Sequence, residues 1–113
     1  MAYDEETAMR FRNAVGGMEG IAEKRMMGGI CFMLNGNMIG GADQAKDGTR
    51  RFMFRVGKGN HHAGLELPGA IAMEQGGRKM SGLFFVEEEG CSDSDLRAWL
   101  SLAIGHAAEL PAK

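Results

Sequence analysis

Lys24-Arg25-Met26-Met27-Gly28-Gly29-Ile30-Cys31-Phe32-Met33-Leu34-Asn35-Gly36-Asn37-Met38-Ile39 is the stretch that decides the fold. An apolar run, an Asn-Gly pair and a second apolar run follow one another. Both residues of a two-residue type I′ turn need positive φ, and Asn-Gly tolerates it best, so this is a β-hairpin signal. The hairpin strands are expected at 30–34 and 37–42. Turn length sets the register: Leu34 opposite Asn37, Met33 opposite Met38, and Phe32 opposite Ile39, with Cys31 and Ile30 meeting Gly40 and Gly41. Gly28-Gly29 reads as a bend into the first strand. A backbone anion nest beside Arg25 is the alternative. It is the weaker one, because phosphate fingerprints run strand, glycines, helix, and here the glycines come first.

Outward from the hairpin, residues 50–56, Arg-Arg-Phe-Met-Phe-Arg-Val, alternate with period two. Phe52, Phe54 and Val56 share one face, and Arg51, Met53 and Arg55 share the other. That is a strand with an aromatic face towards helices and a wetter face outward. Residues 80–86 read as a further strand, followed by a solvated Glu87-Glu88-Glu89-Gly90 turn. Residues 43–49 form a polar loop. Residues 58–66 are expected as a short helix weakened by Gly59 and Gly64, and 70–77 fit neither template.

Two longer helices flank these strands. Residues 4–16 open with Asp4 as N-cap and Glu5 and Glu6 in the first turn, where the helix dipole favours negative charge. Tyr3, Ala8, Phe11 and Val15 fall on one face, and Gly16-Gly17 ends the helix. The C-terminal helix has Ser92 as N-cap, Asp95 three residues on, and Cys91 and Leu96 at staple positions. Leu96, Trp99, Leu100, Ala103, Ile104, Ala107 and Leu110 recur at helical spacing, and Pro111 closes it. Gly105 costs this helix about 1 kcal/mol against Ala.

The 113 residues, 44% of them hydrophobic, suit one domain with one core. A net charge of −2 argues against strong unaided nucleic-acid binding. No apolar run is long enough to cross a bilayer, and the acidic start lacks a secretory pattern, so a cytoplasmic location is expected. Cys31 and Cys91 have neither metal-site nor disulfide spacing; both read as small buried hydrophobes. His61-His62 are adjacent and diverge on a helix, unlike the i, i+4 pair of a helical metal site, and His106 is isolated. No metal and no cofactor are expected, and no catalytic constellation is visible.

At Arg25-Met26-Met27-Gly28-Gly29, with the hairpin after it and Leu96-Arg97-Ala98-Trp99 in the last helix, the chain resembles the TfoX N-terminal domain family. Arg55-Val56 ending a strand, the Gly-Arg-Lys-Met before the fourth strand and the Leu110-Pro111 close belong to the same resemblance, which covers nearly the whole chain. Met27 stands where that family usually carries an aromatic residue. The resemblance implies a regulatory role of the kind TfoX proteins have in bacterial competence, exerted at promoters with the cyclic-AMP receptor protein. It implies a stand-alone N-terminal domain, because the helical C-terminal domain of the full regulators has no counterpart here.

The basic residues Lys24-Arg25, Arg50-Arg51, Arg55 and Arg78-Lys79 lie at strand ends or on a strand's outward face. Solvation of the sheet face and protection of its edges is the simpler account of them. If the strands are neighbours, they form one patch for phosphate or for an acidic protein surface. The candidate partner-binding set is Lys24, Arg25, Met27, Gly28 and Gly29 from the hairpin start, Arg51, Met53 and Arg55 from the central strand, and Arg78 and Lys79 before the last one.

The expected fold is α+β over residues 1–113: a mainly antiparallel sheet of about four strands with the N- and C-terminal helices on one face. Its core should hold Phe11, Phe32, Phe52, Phe54, Leu96, Trp99 and Leu100. The expected role is a non-enzymatic module that binds a protein partner, with weak direct nucleic-acid binding at most and no membrane. Self-association as a homodimer, through the exposed sheet face or an edge strand, is a further reading. The alternative is a small-ligand or enzymatic pocket between helices and sheet.

Overall fold

The computed structural model describes residues 5–26 and 29–112. Chain order is α1 (Glu5–Ala14), β1 (Ile21–Met26), β2 (Gly29–Leu34), β3 (Asn37–Gln44), β4 (Arg50–Arg55), a 3₁₀ turn (Lys58–Asn60), α2 (His61–Leu65), β5 (Ile71–Gln75), β6 (Arg78–Glu87) and α3 (Asp93–Ala108). The six strands form one antiparallel sheet in the order β1-β2-β3-β4-β6-β5. α1 and α3 pack across the middle strands on one face, and α2 packs on β6.

The Asn-Gly hairpin forms, with both turn residues at positive φ (52° and 84°). Leu34 faces Asn37 and Met33 faces Met38 as expected, but the register then slips: Phe32 pairs with Gly40, Cys31 with Gly41 and Ile30 with Ala42. Ile39 is the extra residue of a bulge, and its side chain is wholly buried. Turn length sets the register only until a large side chain gains more by turning inward.

Two strands were not expected. β1 carries Glu23, Lys24 and Arg25 in its middle and shows no alternation; its partner β2 recruits it to the sheet edge. β5 belongs to the stretch that fitted no template. Gly76 and Gly77, both at positive φ, make the β5–β6 turn, and Gly-Gly is itself an accepted two-residue hairpin pair. The sheet therefore has six strands, not four. β6 also starts at Arg78, two residues earlier than expected, because this turn aligns it with β5.

Phe11, Phe32, Phe52, Phe54, Leu96, Trp99 and Leu100 are all buried. The alternation of β4 is as read, with Phe52 and Phe54 inside and Arg51, Met53 and Arg55 on the other face. Six rings and an imidazole run in a row across the sheet's covered side. Phe11 stacks on Phe32 at 4.4 Å and on Phe54 at 5.9 Å, Phe54 on Trp99 at 5.2 Å, Phe84 tilts against Trp99 at 5.3 Å, and His61 stacks on Phe84 at 5.0 Å; Phe52 lies beside Phe11 and Phe54. Trp99 donates its indole N–H to the Pro68 carbonyl at 3.0 Å. Ala8, Phe11 and Val15 form the buried face of the N-terminal segment. Asp4, expected as the N-cap, and Tyr3, expected on the same face as Ala8, lie outside the described residues. Ser92 caps α3 as expected, its hydroxyl accepting from the Asp95 N–H. Asn37, almost wholly buried, donates to the Pro111 carbonyl and so ties the C-terminal tail to the hairpin.

Ion pairs hold the rims. Arg10 reaches from α1 to the β6–α3 turn, meeting Glu88 at 2.6 Å, Asp93 at 2.8 Å and the Cys91 carbonyl at 2.8 Å. Arg50 also faces Glu88, at 3.6 Å. Glu88 is therefore a partly buried ion-pair centre and Glu87 an exposed residue ending β6 opposite Arg51, so the solvated-turn reading holds only for Glu89 and Gly90. Arg12 clamps Glu23 with two hydrogen bonds, 2.6 and 2.7 Å, fastening α1 to the edge strand β1.

The Arg12 guanidinium holds the Glu23 carboxyl below its usual range, against the opposing effect of partial burial. A carboxyl whose folded pKa is depressed stabilises the fold above its unfolded value and loses that contribution as pH falls through the folded one. Glu23→Gln should therefore cost about 0.5 kcal/mol at neutral pH, the range for exposed pairs. Urea denaturation of both proteins at descending pH should show the gap closing in the acid range below ordinary carboxylate titration.

Candidate interaction surface

Because the helices take one side of the sheet, the other side is left without a covering layer among the described residues. Period-two alternation puts Cys31 and Met33 of β2, Met38 and Gly41 of β3, Met53 of β4 and Leu83 and Phe85 of β6 on that side. All but Gly41 are half-buried, and Ile71 of β5 is 45% exposed. Gly41 stands between Cys31 and Met53 in the register and lines the trough there, while an added methyl would run into the Ile30 carbonyl. The resulting apolar groove, about 290 Å³, runs among Cys31, Met38, Met53, Met73 and Leu83. Methionine thioethers are adaptable packing partners, which suits a surface that has to accommodate another molecule.

The basic residues do not merge into one patch. Arg51 is committed: it makes a bidentate pair with Asp43 at 2.8 and 3.0 Å and lies over the Phe85 ring, 3.8 Å from its centroid. Arg55 emerges on the same face, near the end of the sheet where Lys79 also lies. Arg78 and Lys79 are exposed at the start of β6, opposite Gln75 and Glu74. Lys24 sits on edge strand β1, and β2 and β3 separate it from β4, a span of about 14 Å at normal strand spacing. Arg25 pairs with Ile30, so it points to the helix side and not to the open face. Arg50 likewise faces the helices. The single-patch reading fails because two intervening strands and the strand alternation split it. Gly29 opens β2 opposite Asp43, and Met53 is central to the groove; Met27 and Gly28 lie outside the described residues.

Cys31 is half-buried on the open face, not in the core as expected, since the inward positions of β2 go to Ile30, Phe32 and Leu34. Burial, with the Asp43 charge, pushes its thiol pKa up, and burial does the same for Cys91. Both are held as thiols, so neither has the lowered pKa of a reactive nucleophile. His61 accepts the Gly82 N–H on Nδ1 at 2.9 Å, which makes it a structural histidine, while His62 is exposed and faces Glu66. Among the described residues there is no group of three or more His, Cys, Asp or Glu side chains arranged to hold a metal. Nor is any helix of those residues long and apolar enough to cross a membrane.

A feature missed from sequence lies at the sheet end beside Arg55. Val56 and Gly57 both donate to the Gly82 carbonyl, so the chain leaving β4 presses flat against β6. Gly57 and Gly82 both have positive φ (89° and 83°). A methyl on Gly82 would run into the Gly57 carbonyl, and one on Gly57 into the His106 ring. A glycine one residue past a strand's last alternating position was the available signal.

Comparison of the chain with protein-family models, with curated proteins and with solved structures finds no match.

Gly82→Ala should cost about 3 kcal/mol, combining strained φ with a backbone collision. Gly105→Ala, on an open face of α3 with nothing near its added methyl, should instead stabilise by about 0.8 kcal/mol. Urea unfolding midpoints of the two variants should move in opposite directions.

Proposed function

We propose that the domain is a non-enzymatic regulatory module that holds a protein partner against the open face of its sheet, as its resemblance to the TfoX N-terminal domain implies. Transcriptional or competence regulation is the setting that the same resemblance suggests. The observation that carries the reading is the uncovered apolar groove around Met38, Met53, Met73 and Leu83. Isolated exposed apolar residues need no explanation, but a contiguous set on an unlayered sheet marks an interaction site. Arg55 and Lys79 at one end favour a partner with an apolar contact segment and acidic flanks.

The middle of the helix–sheet layer, where a buried catalytic pocket would lie, favours this reading over the alternative of an enzymatic pocket. That layer is filled by the aromatic row, and no buried side-chain polar atom among the described residues lacks a hydrogen-bond partner. The thiols add nothing to an enzymatic reading, because both are held protonated.

The test compares three immobilised baits in extract of the source cell: wild type, Met53→Glu in the groove, and Arg97→Glu on the exposed side of α3. Wild type and Arg97→Glu should retain the same protein in stoichiometric amount. Met53→Glu, with an unchanged melting curve, should lose it about tenfold or more, a penalty of at least 1.4 kcal/mol. Equal retention by Met53→Glu would remove the reading. Sedimentation at several concentrations separates capture of a different protein from self-association through the same face.

A further inference from the structure

A second concavity lies at the sheet end, distinct in chemistry from the apolar groove. It is a cleft of about 700 Å³ between the end of β4, the 3₁₀ turn, the start of β6 and the last turn of α3. That volume is typical of small-molecule sites. Arg55, Lys58 and Lys79 line it, and no Asp or Glu does. Arg10, Arg12, Arg50 and Arg51 all have carboxylate partners. Among the described residues, none of the three cleft cations is ion-paired. Glu74 is the register partner of Lys79 across the β5–β6 pair but forms no ion pair with it, and Glu109, three residues after His106, forms none with a cleft cation. In a molecule of net charge −2, three cations around a lining that holds no carboxylate concentrate positive potential there.

The cleft also has a rigid base. Gly57 and Gly82 are pressed together, His61 accepts the Gly82 N–H from one side, and His106 packs on Gly57 from the other. Fixed backbone beneath charged side chains is the arrangement that lowers the ordering cost of binding. Leu83, Leu110 and the His106 ring supply an apolar wall beside the cations.

We propose that this cleft binds a phosphate-bearing small molecule of nucleotide size. Its phosphates lie among Arg55, Lys58 and Lys79, and its apolar or planar end lies against Leu83, Leu110 and His106. Three cations call for an anion of several charges, and the planar guanidinium of Arg55 matches paired phosphate oxygens. A nucleic-acid strand is the poorer fit, because the cations converge on one concavity and do not form a stripe along the surface. The cleft needs no partner on the open face to be complete.

The experiment is calorimetric titration at low salt, with ADP as the probe and adenosine as its phosphate-free control. ADP should bind and adenosine should bind at least about tenfold more weakly. Pyrophosphate should compete with ADP. Lys58 and Lys79 are exposed and without partners, so the Lys58→Gln/Lys79→Gln double variant should keep its circular dichroism spectrum. It should weaken ADP about tenfold or more, in the range for charge-assisted hydrogen bonds. Lys24→Gln, on the far edge strand, should leave ADP affinity unchanged. Absence of ADP binding at millimolar concentration would overturn the proposal. So would an equal loss with Lys24→Gln, or tighter binding of a duplex oligonucleotide than of ADP.

Discussion

The aromatic row is the constraint on which the structure depends. Phe32, Phe54 and Phe84 rise from three strands, and Phe11, Trp99 and His61 descend between them from three helices. Phe11 and Trp99 each touch rings on two strands, so neither α1 nor α3 can shift without breaking contacts on both, while His61 ties α2 to β6. β3 lies beneath Phe11, and it contributes Gly40 there: an added methyl would meet the Phe11 ring and the Met53 carbonyl. The bulge at Ile39 has the same origin, since it turns one more large side chain into the layer. Concentrating most of the ring volume on one side of the sheet leaves the other side to methionines, Cys31, Leu83, Phe85 and Gly41. Core and open face are thus two results of one packing choice.

Much of this was legible in the chain because side-chain period and turn chemistry are local. The Asn-Gly turn, the two faces of residues 50–56, the Ser92 cap and the seven expected core residues needed only neighbours in sequence. What could not be read was set by partners distant in sequence. β1 has no apolar alternation and exists because β2 offers a free edge. Ile39 leaves its expected pairing with Phe32 because the core accepts it. Glu88, in an acidic run that looks solvated, becomes central because α1 brings Arg10 and β4 brings Arg50. The basic residues looked like one candidate site because sequence shows strand faces but not strand order. The order β1-β2-β3-β4-β6-β5 sends Lys24 to one rim and Lys79 towards the other.

Strand order also decides which charges are satisfied. Residues at the helix–sheet rim find carboxylates because α1, β6 and the loop before α3 meet there: Arg10 with Glu88 and Asp93, and Arg50 with Glu88 and Glu6. Arg51 finds Asp43 directly across β3. Arg55 sits in the same face of the same strand, but its cross-strand neighbour is Leu83. The uneven charge is therefore a matter of register. A near-neutral total says nothing about it, which is why net charge argues about nucleic acid but is silent on a local anion site.

Leu83 lines both the apolar groove and the basic cleft, and Arg55, its partner in the register, stands at their junction. An anion that draws the Arg55 guanidinium into the cleft removes that charge from the rim of the open face. A partner with an acidic flank draws it the other way. With both sites filled as proposed, the two events would draw on the same side chain and would disfavour each other, equally in both directions by linkage. A partner that touches only the methionine trough escapes the coupling. Dependence of partner affinity on the anion thus reports whether the bound surface extends past Met53 to the end of β4.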